Sequence, residues 1–485
     1  MAQKNGELHV VFVPYFTPSH MIPLVDIARL FASCGVKVSI ITTHYNALLF
    51  ESSINDSGQL IFVHKLKFPS DEVGLPEGIE NFSAITGPEM VIGVFMGIDL
   101  LQKPIKDLIV ELRPHCIVSD VCHTWTVDVA EQLKIPRLAF YSHSLMYHCV
   151  EHCLNVYTPH EKVSSDSESF MIPGLPDKIE MKRSQLPENI VKTNLEGPYW
   201  EMMKRIKEAE PRRYGVIHDA VYDLESTYAE LYQKIKGKKP WLIGPLFHFS
   251  KREEANTAVK ERHSCLSWLD YQEPSSVVYI CFGSMVRFSD AQLTEIALAL
   301  EASDSSFLWV VRKGDKLQEN EQESWMPTGF KEKMLTNNKG LIVTGWVPQL
   351  KILNHPATRA FVTHCGWNSI LESLTAGVPL LTWPLFAEQF YNEKLVEVLG
   401  CGVGVGAEVC HSTFDITDTI VKKEKIEASV KMLMSNSMES EKIRSRAKDI
   451  EAMVKRAVET GGSSYNHLTE LIQELKCHVF STLEE

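Results

Sequence analysis

The 485-residue chain has no unbroken apolar run of the ~18 residues that a membrane-spanning helix needs, so no transmembrane segment is predicted. Its opening residues, MAQKNGELHVVFVPYF, lack the basic start, long apolar core and small-residue cleavage site of a secretory signal. The apolar stretch after Leu8 is short and broken by Pro14, and it reads as a buried strand. The 11 cysteines form no C-x-x-C pair and are odd in number, which suits free thiols in a reducing cytosol better than a disulfide framework or a zinc site. An excess of positive charge is also missing. The net charge of −13 argues against nucleic acid or an anionic membrane as the main partner.

Three motifs are absent as well. There is no GxxxxGK[ST] loop and no GxGxxG after the first apolar run, so ATP- and NAD-binding folds lose ground. No two aspartates stand at i and i+2, so the short Asp-x-Asp device of a metal-bridged nucleotide sugar is missing. What remains is ordinary globular composition, 44% hydrophobic and 23% charged, in a chain long enough for two or three cores.

β-branched apolar runs at Val10–Val13, Val38–Thr42, Cys116–Ser119, Leu138–Tyr141 and Val216–His218 predict buried strands. Between the first two, Leu24, Ile27, Ala28 and Phe31 fall at helical spacing and predict a helix over Pro23–Ser33, stopped by Gly35. Strand, helix, strand at this spacing implies a parallel sheet covered on both faces. The pattern halts near Pro245, and the charged stretch 247–263 reads as a linker. A second alternation follows, with strands at Val277–Cys281, Phe307–Val311, Leu341–Thr344, Ala360–Thr363 and Pro379–Thr382. Segments 164–169 and 313–324 read as solvated loops. Leu468, Leu471, Ile472 and Leu475 mark a terminal amphipathic helix. The predicted division is 1–246, linker 247–263, 264–462, and a C-terminal helix within 463–485 that packs back on the first domain.

Ligands of open parallel sheets bind beyond the carboxyl ends of the strands. The residues that follow the predicted strands are His20, Asp120, Ser284, Trp346, His364, Glu388 and Gln389. A single histidine or aspartate in a loop is most often structural, but all of these at the edges of two sheets would line a cleft. A hydroxyl nucleophile needs a base, and a carboxylate behind an imidazole fixes its tautomer, so His20 with Asp120 is a candidate dyad. Sequence alone leaves open whether the two touch. In THCGWNSILESLTAGVP, Gly366 permits a tight turn and Asn368 or Ser369 suits a helix N-cap. The N–H groups and dipole of such a helix start favour a phosphate, although a plain capped helix has the same pattern. Glu372 is placed either to close a capping box or to accept from ribose hydroxyls.

The window WVPQLKILNHPATRAFVTHCGWNSILESLTAGVPLLTWPLFAEQ, from Trp346 to Gln389, closely resembles the signature box of plant family 1 UDP-glycosyltransferases. The resemblance extends over nearly the whole chain, through His20 followed by Pro23, IVSD ending in Asp120, and FGS ending in Ser284. It implies a GT-B fold, two Rossmann-like parallel-sheet domains facing across a cleft. It implies an inverting, metal-independent transfer of glucose from UDP-glucose to a hydroxyl of a small lipophilic acceptor such as a triterpenoid, steroid or flavonoid. No cofactor or metal is expected beyond that co-substrate. The expected protein is a cytoplasmic monomer of plant secondary metabolism with no nucleic-acid partner and no integral membrane association.

By position in the box, the resemblance implies that Trp346 stacks on uracil and the Val347 backbone bonds its edge. Gln349 and Glu372 would hold the ribose, and Ser284, His364, Asn368 and Ser369 the diphosphate. Trp367, Glu388 and Gln389 would address the sugar. His20 would be the base and Asp120 its partner. Candidate acceptor contacts are Met90, His123, His143 and Phe386. Departures from the family's usual pattern are Ser19 for glycine, Val347 for alanine, Arg359 in a stretch that usually holds glycine, and Glu388 for aspartate. Gln389 resembles glucose-using members. A different GT-B enzyme on a UDP-sugar, such as an epimerase, and a non-catalytic UDP-sugar binder are the competing readings.

Overall fold

The computed structural model describes residues 7–481 apart from 56–59, 86, 88, 193, 249–263, 284, 312–324, 413–414 and 417–418. Most of the predicted linker, the predicted loop at 313–324 and the candidate residue Ser284 therefore lie outside the described residues.

Seventeen strands are described. They are β1 (His9–Val13), β2 (Lys37–Thr43), β3 (Ile61–Leu66), β4 (Cys116–Asp120), β5 (Arg137–Tyr141), β6 (Ser169–Met171), β7 (Glu180–Lys182), β8 (Gly215–His218) and β9 (Pro240–Leu242). The second half holds β10 (Val277–Cys281), β11 (Arg287–Phe288), β12 (Ser306–Val311), β13 (Gly340–Thr344), β14 (Thr358–Thr363), β15 (Leu380–Thr382), β16 (Gly402–Gly404) and β17 (Asp415–Ile416). Seven make one sheet in the order β3-β2-β1-β4-β5-β8-β9, and six make another in the order β13-β12-β10-β14-β15-β16. Every pairing in both is parallel. Each predicted strand is present, because fully buried β-branched runs such as HVVFV and VVYIC have nowhere else to go.

Chain order reverses between β1 and β4 in the first sheet and between β10 and β14 in the second. These are the topological switch points where such sheets open a crevice. Register places Val13 beside Ser119 and Cys281 beside Thr363, so His20 and Asp120 follow one switch and His364 follows the other.

The first helix runs Pro18–Ser33 and not Pro23–Ser33. Proline at the first helical position loses no hydrogen bond, so Pro18 starts the helix and Pro23 falls inside it. His20 thus sits in the first turn of a helix and Asp120 is the last residue of its strand, neither in a loop. The predicted terminal helix spans Ser463–Ser481, and Leu468, Leu471, Ile472 and Leu475 are buried in the apolar core built on the first sheet. A further apolar cluster is continuous between the halves, joining Leu145 and Met146 to Tyr279, Trp367 and Tyr391.

Candidate active site

Helix Pro18–Ser33 and strand β4 bring His20 and Asp120 together across 100 residues of sequence: His20 Nδ1 lies 2.9 Å from Asp120 Oδ2. Asp120 is wholly buried, and its other oxygen accepts the Cys122 N–H at 2.9 Å. Burial alone would raise the Asp120 pKa, but the His20 charge and hydrogen bond, with the Cys122 N–H, bring it below the ordinary value. Burial likewise works against a charged His20, and Asp120 outweighs it, so the imidazole pKa is raised. With Nδ1–H donating to the carboxylate, Nε2 is left bare to accept a proton.

On the opposite side, the donor box assembles around helix Trp367–Ala376. Its N-cap is Gly366, in extended conformation with no side-chain cap, so the predicted Asn368 or Ser369 cap and the capping box are not formed. Asn368 and Ser369 lie in the first helical turn. Glu372 instead accepts from Gln349 Nε2 at 2.6 Å, and the same nitrogen lies 3.1 Å from Ser369 Oγ. Tyr279 OH donates to Gln349 Oε1 at 3.0 Å, which fixes the amide's orientation. Val347 is buried, whereas the neighbouring Trp346 is 67% exposed. His364 is seated between two glycines: a Cβ on Gly283 or Gly366 would stand 2.7 Å from its ring. Its Nδ1 is buried and finds no hydrogen-bond partner among the described residues. Burial lowers its pKa to about 4, so the ring is neutral near pH 7 and can donate without carrying charge.

Glu388 and Gln389 begin the next helix, Gln389–Leu399. Gln389 Oε1 accepts from the backbone N–H groups of Leu385 at 3.0 Å and Phe386 at 3.2 Å, leaving its amide nitrogen to donate. Glu388 accepts from Asn392 Nδ2 at 3.3 Å. Burial raises its pKa, against the opposing effects of its own backbone N–H, the charge on His20 and the Asn392 amide.

The halves are stitched together at this edge. Trp367 is 3% exposed and its indole N–H donates to the Asp219 carbonyl at 2.6 Å, leaving only its backbone to face a sugar. Asn368 Nδ2 donates to the Ser19 carbonyl at 3.0 Å, and its Oδ1 accepts from Ser142 Oγ at 2.9 Å. Ser144 Oγ donates to Asn392 Oδ1 at 3.0 Å. Ser142 and Asp219 directly follow β5 and β8, so the same strand-end reasoning that found His20 applies to them, though the sequence reading passed over both.

Of the acceptor candidates, His123 is buried among Tyr15, Phe16 and Trp125, with Nε2 3.1 Å from the Pro14 carbonyl. A small cavity beside the dyad is lined by Tyr15, Phe95, Cys122, His123, Trp125 and Met202, among others. His143 packs edge-on to His20, ring centroids 6.0 Å apart, and burial lowers its pKa to about 3. Met90 is half-buried against the first core and Phe386 against the core of the second sheet, so neither lines that cavity. Tyr15, which stacks on Phe82 at 5.9 Å, and Tyr147, stacked on Tyr391 at 6.1 Å, were not singled out by sequence because aromatics in a core give the same signal. Arg359, the unexpected residue of the box, is far from this chemistry in role: it donates to the Ser435 carbonyl and Asn436 Oδ1, both at 2.7 Å, and pins a turn.

Among the described residues, His20, Asp120 and Cys122 alone bring potential metal-ligating atoms within 4.8 Å of one another. The first two are already bonded together, and burial pushes the Cys122 thiol well above its ordinary pKa, away from the thiolate a metal would take. None of the described helices is long and apolar enough to cross a membrane.

The profile of the family described as "UDP-glucoronosyl and UDP-glucosyl transferase" matches residues 111–437. The chain is 51% identical to nuatigenin 3-beta-glucosyltransferase of Solanum aculeatissimum over 98% of both chains. It is 46% identical to solanidine UDP-glucose glucosyltransferase 1 of Solanum tuberosum, again over 98% of each. Among solved structures, UGT73P12 of Glycyrrhiza uralensis, complexed with glycyrrhetinic acid 3-O-monoglucuronide, superposes with a TM-score of 0.92 at 39% identity, covering 99% of this chain and 98% of that one. UGT71G1 of Medicago truncatula, complexed with UDP-glucose, gives 0.77 at 26% identity, covering 98% and 100%.

Proposed function

The chain belongs to the UDP-glucoronosyl and UDP-glucosyl transferase family and is a GT-B UDP-glycosyltransferase of the plant type, and from that premise we propose how its residues divide the reaction and what it glycosylates. The observation that carries the reading is the 2.9 Å contact of His20 with buried Asp120 at one switch point, facing a donor helix at the other.

Trp346 stacks on the uracil of UDP-glucose and the Val347 backbone bonds its edge. Gln349 and Glu372 hold the ribose. The start of helix Trp367–Ala376, with Ser369, Ser284 and His364, takes the diphosphate through N–H groups and a positive dipole end. The Trp367 backbone, Glu388 and Gln389 meet the sugar hydroxyls. The acceptor hydroxyl gives its proton to His20 Nε2 while its oxygen bonds the anomeric carbon from the face opposite UDP. The bond from that carbon to the phosphate oxygen breaks, its electron pair leaves with UDP, and configuration inverts. Preorganised donors on the diphosphate stabilise the charge that develops there, with no metal ion required.

The acceptor is a polycyclic alcohol of triterpenoid or steroid type, with flavonoids as the next class. Its binding wall is aromatic, built from Tyr15, Phe95 and His123 beside the dyad. The named relatives act on nuatigenin and solanidine. The enzyme works as a cytoplasmic monomer without cofactor or nucleic-acid partner. A UDP-glucose assay over steroidal, triterpenoid and phenolic acceptors, with His20→Ala alongside, tests this. Turnover with none of the acceptors would defeat the substrate reading, and undiminished turnover by the variant would defeat the base.

A further inference from the structure

In an α-helix each carbonyl takes the N–H of the residue four positions on. For Ser19 that residue is Pro23, which lies inside the helix and has no N–H to give. The Ser19 carbonyl, immediately before His20 in sequence, is therefore released from the helix ladder. What it accepts instead comes from across the cleft: Asn368 Nδ2 at 3.0 Å. The Ser142 hydroxyl, 2.9 Å from Asn368 Oδ1 and 3.4 Å from the Ser19 carbonyl, holds the amide in the orientation that points nitrogen at Ser19. Both ends of the Asn368 side chain are thus engaged with the first half of the chain.

We propose that Asn368 is a positioning residue for His20, latching the donor helix to a backbone carbonyl that Pro23 sets free. The idea deepens the functional reading above and rests on it, since it takes His20 as the base and helix Trp367–Ala376 as the diphosphate site. Asn368 occupies the second residue of that helix, so the latch ties the element that holds UDP to the first turn that carries the base. Trp367–Asp219 and Ser144–Asn392 also join the two halves, but the Asn368 bond is the one made to the helical turn that carries His20, across 349 residues of sequence, so it sets the base against the donor helix. Misplacement of about 1 Å in such a geometry costs on the order of 100-fold in rate. The Asn368 backbone N–H stays available to phosphate. Its side chain does not, which separates this role from that of a direct donor ligand.

The test compares wild type, Asn368→Ala, Asn368→Asp, Pro23→Ala and the double variant Pro23→Ala/Asn368→Ala, reading kcat, KM, UDP affinity by calorimetry and Tm. Asn368→Asp keeps the shape but loses the N–H donor, so it should fail as alanine does. Both should lower kcat by roughly 10- to 100-fold while UDP affinity stays within about 3-fold. Pro23→Ala returns a helical N–H that competes for the Ser19 carbonyl. It should lower kcat without lowering Tm, because alanine suits a helix interior far better than proline. The double variant should be no slower than Asn368→Ala alone, since both changes act on one bond. Multiplying effects in the double variant, a loss of UDP affinity that matches the loss of kcat/KM, or normal kcat in the Asn368 variants would each overturn the latch. A wild-type enzyme that binds UDP but turns over no UDP-sugar would overturn the latch and the functional reading together.

Discussion

His20 Nδ1 meets Asp120 Oδ2 at 2.9 Å, with the carboxylate wholly buried and the imidazole half-buried at the cleft. Because Asp120 raises the His20 pKa against the effect of burial, the base becomes protonated at a higher pH than a free histidine. Only the neutral ring accepts a proton, so kcat/KM should fall on the acid side with a midpoint above the ordinary histidine value of about 6.5. In Asp120→Asn the carboxylate charge and its hydrogen bond are gone, and burial is opposed only by the charge on Glu388. The acid limb should therefore move to lower pH, while kcat drops by about 100-fold or more from loss of tautomer control. A pH–rate profile of both proteins checks this, and an unmoved limb would remove Asp120 from the dyad.

Trp346 offers a second measurement, because its side chain is two-thirds exposed and its removal should bear more on the ligand than on the core. Trp346→Ala should weaken UDP binding by roughly 5- to 150-fold, the range of an aromatic–base stack of about 1–3 kcal/mol. Its Tm without ligand should stay within about 2 °C of wild type, as expected for a surface substitution. Calorimetry with UDP, paired with a melting curve, separates the two effects.

Much of this site was legible because parallel sheets put ligands at strand ends, and buried strands such as HVVFV announce themselves by composition. Three of the four edge strands were not. IFVHKL in β3 interleaves charge with apolar residues, PWL in β9 is three residues long, and GVG in β16 has almost no side chains to pattern. The N-cap of helix Trp367–Ala376 departs from the expected Asn368 or Ser369 for a different reason. Asn368 is a good capping residue by type, but its amide is drawn across the cleft to Ser19, and Gly366 takes the cap position. Long-range partners outcompete local propensity there, and sequence spacing carries no trace of them. The same holds for Trp367, whose partner Asp219 is 148 residues away.

Gly366 gives a test of His364 that leaves the histidine in place. Its φ of −60° suits any residue, so alanine there strains nothing in the backbone. The new methyl would stand 2.7 Å from His364 Nε2 and force the ring to move. Gly366→Ala should therefore weaken UDP binding by about 10-fold or more, the cost of losing a hydrogen bond to a charged group. Its kcat at saturating donor should fall as well if the His364 bond strengthens as charge develops on the diphosphate. Unchanged UDP affinity in this variant would take His364 out of the donor site.

Glu393, one helical turn beyond Gln389, adds a pH-dependent contribution to stability at the sugar end of the cleft. It is 4% exposed, its Oε1 accepts from Thr382 Oγ1 at 2.7 Å, and burial pushes its pKa up to about 7. Between the ordinary glutamate value near 4.5 and about 7, the folded protein holds a proton that the unfolded chain has released. Folding stability from this group therefore falls as pH rises through that window, and is lowest once the buried carboxylate is charged. Glu393→Gln keeps an oxygen for the Thr382 hydroxyl and never ionises. The variant should match wild type near pH 4.5 and exceed it by roughly 1–3 kcal/mol at pH 8, a gain set by the size of the shift. Denaturant unfolding at the two pH values measures it directly. A variant whose advantage is the same at both would mean that the stability difference comes from packing and not from the titration of Glu393.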